Sequence, residues 1–395
     1  MAETNYLSRI HEEDILDALR FFPVTALIGP RQCGKSTLAR HLLARHFPDS
    51  VYLDLERPSD LRKIENAEWY LASQRNKLIC IDEIQRMPEL FPLLRSIADE
   101  WNRPGSFLIL GSASRDLLQQ SSESLAGRIR YLRLSPLLWS EVAGEGEMKM
   151  ERFLARGGFP RSVLAPSEKM SVHWRESFIT TFLERDLREW SGFSAPTMQR
   201  LWRMLAHLSG QTANYSALSA SLGVSANSVR NYIDLLAATF MVEIVPPWFS
   251  NLGKRLVKAP RVYVADTGVA ATLLGLAAFD DMLAHPSFGA LWEGAVLAHL
   301  KGHFPDLEVS YYRTANGAEA DFVFRHKSKV FALECKASLS PTLSKGNFHA
   351  FADIAPERAY VVTPGGERWQ MAENIEVVPL DQLIEILLPG AAHGE

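Results

Sequence analysis

One stretch constrains this chain more than any other: Gly29-Pro30-Arg31-Gln32-Cys33-Gly34-Lys35-Ser36. The spacing Gly-x-x-x-x-Gly-Lys-Ser calls for a backbone that turns sharply and presents its N–H groups. Glycine supplies conformations that a Cβ would forbid. The flanks fit as well. The apolar run Val24–Ile28 reads as a buried strand before the loop, and residues 37–46 read as an amphipathic helix after it. Such a strand–loop–helix aims a helix N-terminus and a lysine at an anion, which predicts a phosphate-gripping loop. On this reading the loop and Thr37 bind ATP. Lys35 neutralises the β- and γ-phosphates, and Ser36 is a Mg2+ ligand.

Further apolar runs at 51–53, 78–81 and 107–110, with 130–134 as a candidate fifth strand, alternate with helical patterns. Buried strands separated by helices imply a parallel sheet covered on both faces. The run 78–81 leads into Asp82-Glu83. There Asp82 is expected to hold Mg2+ through water and Glu83 to act as the general base, the plain alternative being a solvated acidic pair. The run 107–110 leads into Gly111-Ser112, so Ser112 reads as a sensor of the γ-phosphate or as a simple serine turn. Arg128, after Ser124-Leu125-Ala126-Gly127, reads as an arginine finger, in its own subunit or a neighbour's, or as a surface arginine. Arg115 is a weaker candidate.

Together, Gly-Pro-Arg-Gln-x-Gly-Lys-Ser-Thr, Ile-Asp-Glu-Ile-Gln and Ser-Leu-Ala-Gly-Arg resemble a prokaryotic AAA+-like P-loop ATPase family. Its members pair an AAA_14-type ATPase domain with a DUF4143-type C-terminal domain. The motifs Val-Ala-Asp-Thr-Gly (264–268), Trp292-Glu293, Tyr-Tyr-Arg-Thr (311–314), Glu319-Ala-Asp321-Phe and Leu-Glu334-Cys-Lys336 fit too, so the resemblance spans nearly the whole chain. Cys33 stands where many relatives have Val, a position expected to contribute mainly its backbone. The implied fold is α/β. It has an AAA+-like P-loop NTPase parallel-sheet domain over 1–145, a helical lid or linker over 146–197, a winged-helix-like module over 198–265, and a restriction-endonuclease-like (PD-(D/E)xK) domain over 266–395.

The middle and C-terminal segments carry their own patterns. Residues 215–236 read as helix-turn-helix, with a turn at Gly223 and a cap at Ser225. Leu218, Leu222, Val229, Ile233 and Leu236 form the expected packed face. Asn227, Ser228, Arg230 and Asn231 are left to meet bases and phosphates, and Lys254, Arg255 and Lys258 form a possible basic wing. The plain alternative is a module used for packing or protein contact. Further on, Glu293 lies in a helical pattern (290–300), Asp321 begins a strand, and Glu334-Cys335-Lys336 ends the next. Alternation puts Glu334 and Lys336 on one face. Asp321 and Glu334 are then expected around one Mg2+, with Lys336 orienting water or stabilising phosphate charge and Glu293 completing the shell. Domains of this fold are also kept for binding with catalysis lost, and that alternative stays open.

Composition limits the partners. A hydrophobic share of 47% supports several cores, while a net charge of −4 means that any nucleic-acid surface is local. Residues 200–261 hold seven Arg/Lys against two Asp/Glu, which marks the place for such a patch. The three cysteines, Cys33, Cys80 and Cys335, have no Cys-x-x-Cys spacing. They argue against a zinc site or disulfide framework and fit a reducing cytoplasm. No secretory signal or membrane-length apolar run is visible. The leading expectation is ATP hydrolysis coupled to binding or remodelling duplex or branched DNA, with ATP and Mg2+ as cofactors and a ring or dimer of identical chains. A nucleotide-controlled signalling or defence switch, and an ATP-dependent nuclease, remain open.

Overall fold

Every residue of Val24–Ile28 is buried, which a strand allows only when both faces of its sheet are covered. The computed structural model describes residues 6–112, 125–144, 148–186, 194–249 and 257–388. The chain divides into two units, residues 1–137 with 238–240 and residues 138–237 with 241–395.

In the first unit, β1 (Val24–Ile28), β2 (Val51–Asp54), β3 (Ile79–Asp82), β4 (Phe107–Gly111) and β5 (Ile129–Arg133) form one sheet in the order β2-β3-β4-β1-β5. All its neighbours run parallel. The five expected strands are all present, and the candidate fifth pairs with β1. The period of two sorts their side chains. Val24, Ala26, Ile28, Ile79, Ile81, Phe107 and Ile109 join Leu90, Phe91 and Leu94 in one core. Leu27, Leu78, Cys80, Leu108 and Leu110 join the other, with side chains of α1 (Glu12–Phe21) and α2 (Lys35–His46). The sheet is thus the filling between two helical layers.

The second unit opens with short helices and α3 (Glu168–Thr181), which runs on into a π-helical turn, Phe182–Asp186. From residue 146 on, these helices fall in the segment expected as a helical lid or linker, of which residues 187–193 lie outside the described part. Then come α4 (Ala195–His207), α5 (Tyr215–Leu222) and α6 (Ala226–Ala238), followed by β6 (Val242–Val245) antiparallel to β7 (Arg261–Val264). After α7 (Thr267–Leu273) and α8 (Phe288–His303) comes a mixed sheet of β8 (Val309–Arg313), β9 (Glu319–His326), β10 (Lys329–Cys335), β11 (Arg358–Thr363), β12 (Trp369–Ala372) and β13 (Ile375–Pro379). Its order is β12-β13-β11-β10-β9-β8. The edge strand β12 was not expected; it is short and has no buried residue, so it carries no apolar signal.

Boundaries were expected at 197 and 265. Side chains on both sides of each pack into one core that runs from Leu154 through Trp202, Leu236 and Trp292 to Leu387. A polar junction forms at Gly157-Gly158. Asp266 caps α7 through the Val269 N–H (2.9 Å) and also accepts the Gly158 N–H (2.7 Å). Gly268 lies so close to the chain at Arg156 that a Cβ would sit 2.2 Å from the Arg156 carbonyl oxygen. The buried Arg156 itself bonds Glu168 (2.7 Å) and the carbonyls of Val163 and Ala165. Among the described residues no helix is long and apolar enough to cross a membrane.

Candidate functional site

Residues 29–34 link β1, in the interior of its sheet, to α2. Gly29 passes close under the chain after β5, where a Cβ would lie 2.2 Å from the Leu134 carbonyl oxygen. Gln32 (φ 61°) and Gly34 (φ 106°) turn the backbone, and no side chain caps α2, so the N–H groups of its first turn are left for an anion. The Lys35 ammonium is buried and donates to the Gly29 and Pro30 carbonyls (2.9 and 2.8 Å). Ser36 is half-buried and Thr37 exposed. The Cys33 side chain does more than expected: it is fully buried in the α1–α2 core, with its Sγ 3.6 Å from the Leu134 carbonyl. Arg9, which no sequence pattern marks, donates to the Cys33 carbonyl (3.1 Å) and to that of Ser135 (2.7 Å), tying the loop from behind.

The acidic pair stands at the carboxyl end of β3, one strand removed from β1 across β4. Asp82 ends β3, with one carboxylate oxygen accepting the Glu83 N–H (3.0 Å) and the other the Tyr52 hydroxyl. Tyr52, on β2, lies under the Arg40 guanidinium of α2 (4.6 Å). Sequence reasoning missed Tyr52 because strand order, not spacing, brings it to Asp82. Glu83 takes a left-handed conformation (φ 59°), and the Gln85 amide donates to its carboxylate. Burial pushes the Glu83 carboxyl up from its ordinary range, against the pull of Lys35 and Arg31. Arg31 also pairs with Glu56 (3.3 Å). Ser112 directly follows β4, and the register Ile28↔Gly111 sets it beside Gly29. Lys35, Asp82, Glu83 and Ser112 therefore share one edge of the sheet. The helix N-terminus, the Ser36 hydroxyl and the Asp82 carboxylate form a donor set that suits a nucleotide with Mg2+.

Arg128 does not join them. Its carbonyl accepts the Val24 N–H (3.1 Å) at the start of β1, whereas the loop follows the end of β1. A strand of this length spans about 13 Å, so Arg128 lies at the far edge and is no finger for its own nucleotide. Its guanidinium is held by Asp99, with one bond of 3.0 Å. Arg115 lies outside the described residues.

The helix-turn-helix pattern has its expected local form. Gly223 (φ 69°) ends α5, Ser225 accepts the Ser228 N–H (3.0 Å) at the start of α6, and Leu218, Leu222, Val229, Ile233 and Leu236 are buried. Asn227, Arg230 and Asn231 are exposed. Ser228 differs: it is half-buried, and its hydroxyl bonds that of Ser225 (2.9 Å), so it serves the cap. The expected wing is described only in part. Beyond β6 the chain runs along β8, the Trp248 N–H donating to the Tyr311 carbonyl (2.6 Å) and the Val257 N–H to that of Arg313 (3.1 Å). Lys258 is exposed, while Lys254 and Arg255 lie outside the described residues. Arg261, counted in the basic patch, is buried.

Arg261 belongs instead to the C-terminal constellation. From β7 its guanidinium pairs with Glu319 and with Asp321 (3.4 Å), and stacks over the Tyr311 ring (4.6 Å). Two residues on, the Tyr263 hydroxyl donates to Glu293 (2.8 Å). Asp321 also accepts the Cys335 N–H (2.8 Å), and the Lys336 ammonium donates to Glu334 (2.7 Å). The other Glu334 oxygen is buried without a partner. Burial and then Asp321 push Glu334 up to about 8, and burial also raises Asp321 and Glu293. Glu293, Asp321, Glu334 and Lys336 are thus brought together as expected. The metal expected between Asp321 and Glu334 does not fit this arrangement: among the described residues no three acidic, histidine or cysteine groups are placed to hold an ion, and Asp321 already has a cation. Neither Arg261 nor Tyr263 was foreseen. Their alternate spacing was readable, but the strand they face was not.

Compared with known proteins, residues 22–143 match the AAA domain family (AAA_14), 147–280 a domain of unknown function (DUF8612) and 288–383 a domain of unknown function (DUF4143). The uncharacterized proteins Rv2008c of Mycobacterium tuberculosis and Mb2031c of Mycobacterium bovis are each 40% identical over 371 residues, or 93% of this chain and 82% of theirs. The Walker-type ATPase PABY2304 of Pyrococcus abyssi shares the fold at a TM-score of 0.50 and 18% identity, over 69% of this chain and 97% of that one.

Proposed function

The chain belongs to the family of these two mycobacterial proteins and is a P-loop ATPase, and from that premise we propose that it hydrolyses ATP with Mg2+ and couples turnover to a contact with DNA. The observation that carries the hydrolytic part is the convergence of Lys35, Asp82, Glu83 and Ser112 at one sheet edge. The first turn of α2 holds phosphate oxygens on its N–H groups. Lys35 exchanges the Gly29 and Pro30 carbonyls for the β- and γ-phosphates. Ser36 and Asp82 hold Mg2+, which supplies positive charge to the phosphate oxygens. Glu83 takes the proton of the attacking water, and Ser112 donates to the γ-phosphate.

Tyr52 sets the direction of the Asp82 carboxylate, so Tyr52→Phe is expected to raise the Mg2+ concentration for half-maximal turnover about tenfold or more, from the loss of one hydrogen bond to a charged group. The measurement is ATPase rate against Mg2+ at saturating ATP. An unchanged Mg2+ requirement would leave the phenol a packing role only.

The DNA part rests on the exposed Asn227, Arg230 and Asn231 of α6. Its test is the ATPase rate with single-stranded, duplex and branched DNA. Stimulation by one of these is expected, and Arg230→Ala is expected to weaken DNA binding about fivefold to tenfold and lower its salt slope by about one. Tight ATP binding with negligible turnover, alike with and without DNA, would favour the switch reading.

A further inference from the structure

The carboxylate cluster of the second unit raises a question of charge. Four acidic groups, Glu293, Glu319, Asp321 and Glu334, interact there with two cations, Arg261 and Lys336. Glu319 and Asp321 stand two apart on β9 and so share a face. One guanidinium spans both. Asp321 is engaged on both oxygens, one by Arg261 and one by the Cys335 N–H. Glu334 is engaged on one by Lys336, while its second oxygen is buried and unpartnered, as is Arg261 Nε. An incoming cation finds one open oxygen on Glu334. It gains a second ligand from Asp321 only by taking the oxygen that Arg261 holds.

We propose that Arg261 is the resident cation of this cluster, and that a divalent metal ion binds there only in competition with its guanidinium. The buried Arg261 is 1% exposed and is gripped from four sides, by Glu319, Asp321, the Tyr311 ring and its own strand pairing in β7. It is therefore not a mobile surface arginine that a metal sweeps aside. Two positive centres cannot share one Asp321 oxygen in a site of low dielectric without strong repulsion. Tyr263 draws Glu293 toward β7 by its hydroxyl, which adds to the hold of the β7 side on the acidic groups. The inference does not depend on the ATPase reading, because the P-loop lies in the other unit.

Mn2+ is the probe, titrated into the full-length chain without nucleotide in a Lys35→Ala background, and followed by calorimetry and by the electron paramagnetic resonance signal of free Mn2+. The parent is expected to bind weakly, with Kd on the order of 1 mM. Arg261→Gln is expected to tighten binding about tenfold or more, since removing the competitor opens the Asp321 oxygen. Adding Asp321→Asn to Arg261→Gln should undo the gain, and Arg261→Lys, which keeps the charge, should stay near the parent. A folded Arg261→Gln protein that binds Mn2+ no better than the parent overturns the proposal. Should Arg261→Gln not fold, the parent alone decides. Binding at about 10 µM or tighter that Asp321→Asn abolishes shows a metal beside an undisturbed Arg261 and overturns it; weak binding indifferent to Asp321→Asn supports it.

Discussion

Glu83→Gln is expected to lower ATP turnover about 10²- to 10³-fold while ATP still binds, the magnitude typical of losing a positioned general base. The backbone supports that assignment. Glu83 is a non-glycine residue in the left-handed region (φ 59°), a conformation that costs about 1 kcal/mol and recurs at functional sites. Its burial gives the prediction a pH signature. A base works only when deprotonated, and a raised carboxyl pKa means that protonation sets in at higher pH than for an ordinary glutamate. Turnover should therefore fall on acidification along a limb above the usual carboxylate range, and Glu83→Gln should flatten it. Phosphate release across pH, with ATP binding measured separately, checks both. If the variant kept most of its turnover and the same acid limb, Glu83 would not be the base.

Gly268→Ala is expected to be the most damaging single methyl in the second unit. The added Cβ would lie 2.2 Å from the Arg156 carbonyl oxygen, 2.4 Å from its carbon and 2.7 Å from the Gly157 nitrogen. All three are backbone atoms, so no side chain can rotate away. The helix start at Asp266 would have to part from the 157–158 segment and give up the Gly158 N–H bond. A loss of about 3 kcal/mol or more follows from overpacking plus a broken buried hydrogen bond. Denaturant unfolding followed by tryptophan fluorescence reads it. Gly294→Ala is the control: its nearest neighbour atom would be 3.8 Å away, so the helix gains a better former without a clash. Equal behaviour of the two variants would sink the steric account.

What the sequence made legible was local. The P-loop, its strand and its helix were readable because each rests on a spacing of a few residues, and β1, β3 and β4 because they are buried at every position and almost wholly apolar. The helix-turn-helix punctuation at Gly223 and Ser225 was readable for the same reason. What stayed hidden depends on which strands become neighbours. Arg128 looked like a finger for its own nucleotide, among other readings, until the pairing of β5 with the start of β1 set it at the far edge of the sheet. Tyr52 looked like an ordinary strand tyrosine until β2 lay beside β3. Arg261 looked like part of a basic surface until β7 faced β9. The structure brings Glu293, Asp321, Glu334 and Lys336 together, but the second cation of the cluster, Arg261, came from outside the segment in which it was sought.

The loan of Arg261 and Tyr263 by β7 bears on how such a chain can be cut and recombined. A gene fragment beginning at residue 266 would carry all six strands of the C-terminal sheet and every acid of the cluster. It would leave behind the guanidinium and the phenol that hold them. Grafted onto another ATPase, it would keep Lys336 on Glu334 but bring Glu319 and Asp321 without their guanidinium, and would depend on the new host, or on a metal, to replace it. A fragment that keeps Arg261 and Tyr263 with the cluster must therefore begin upstream of β7.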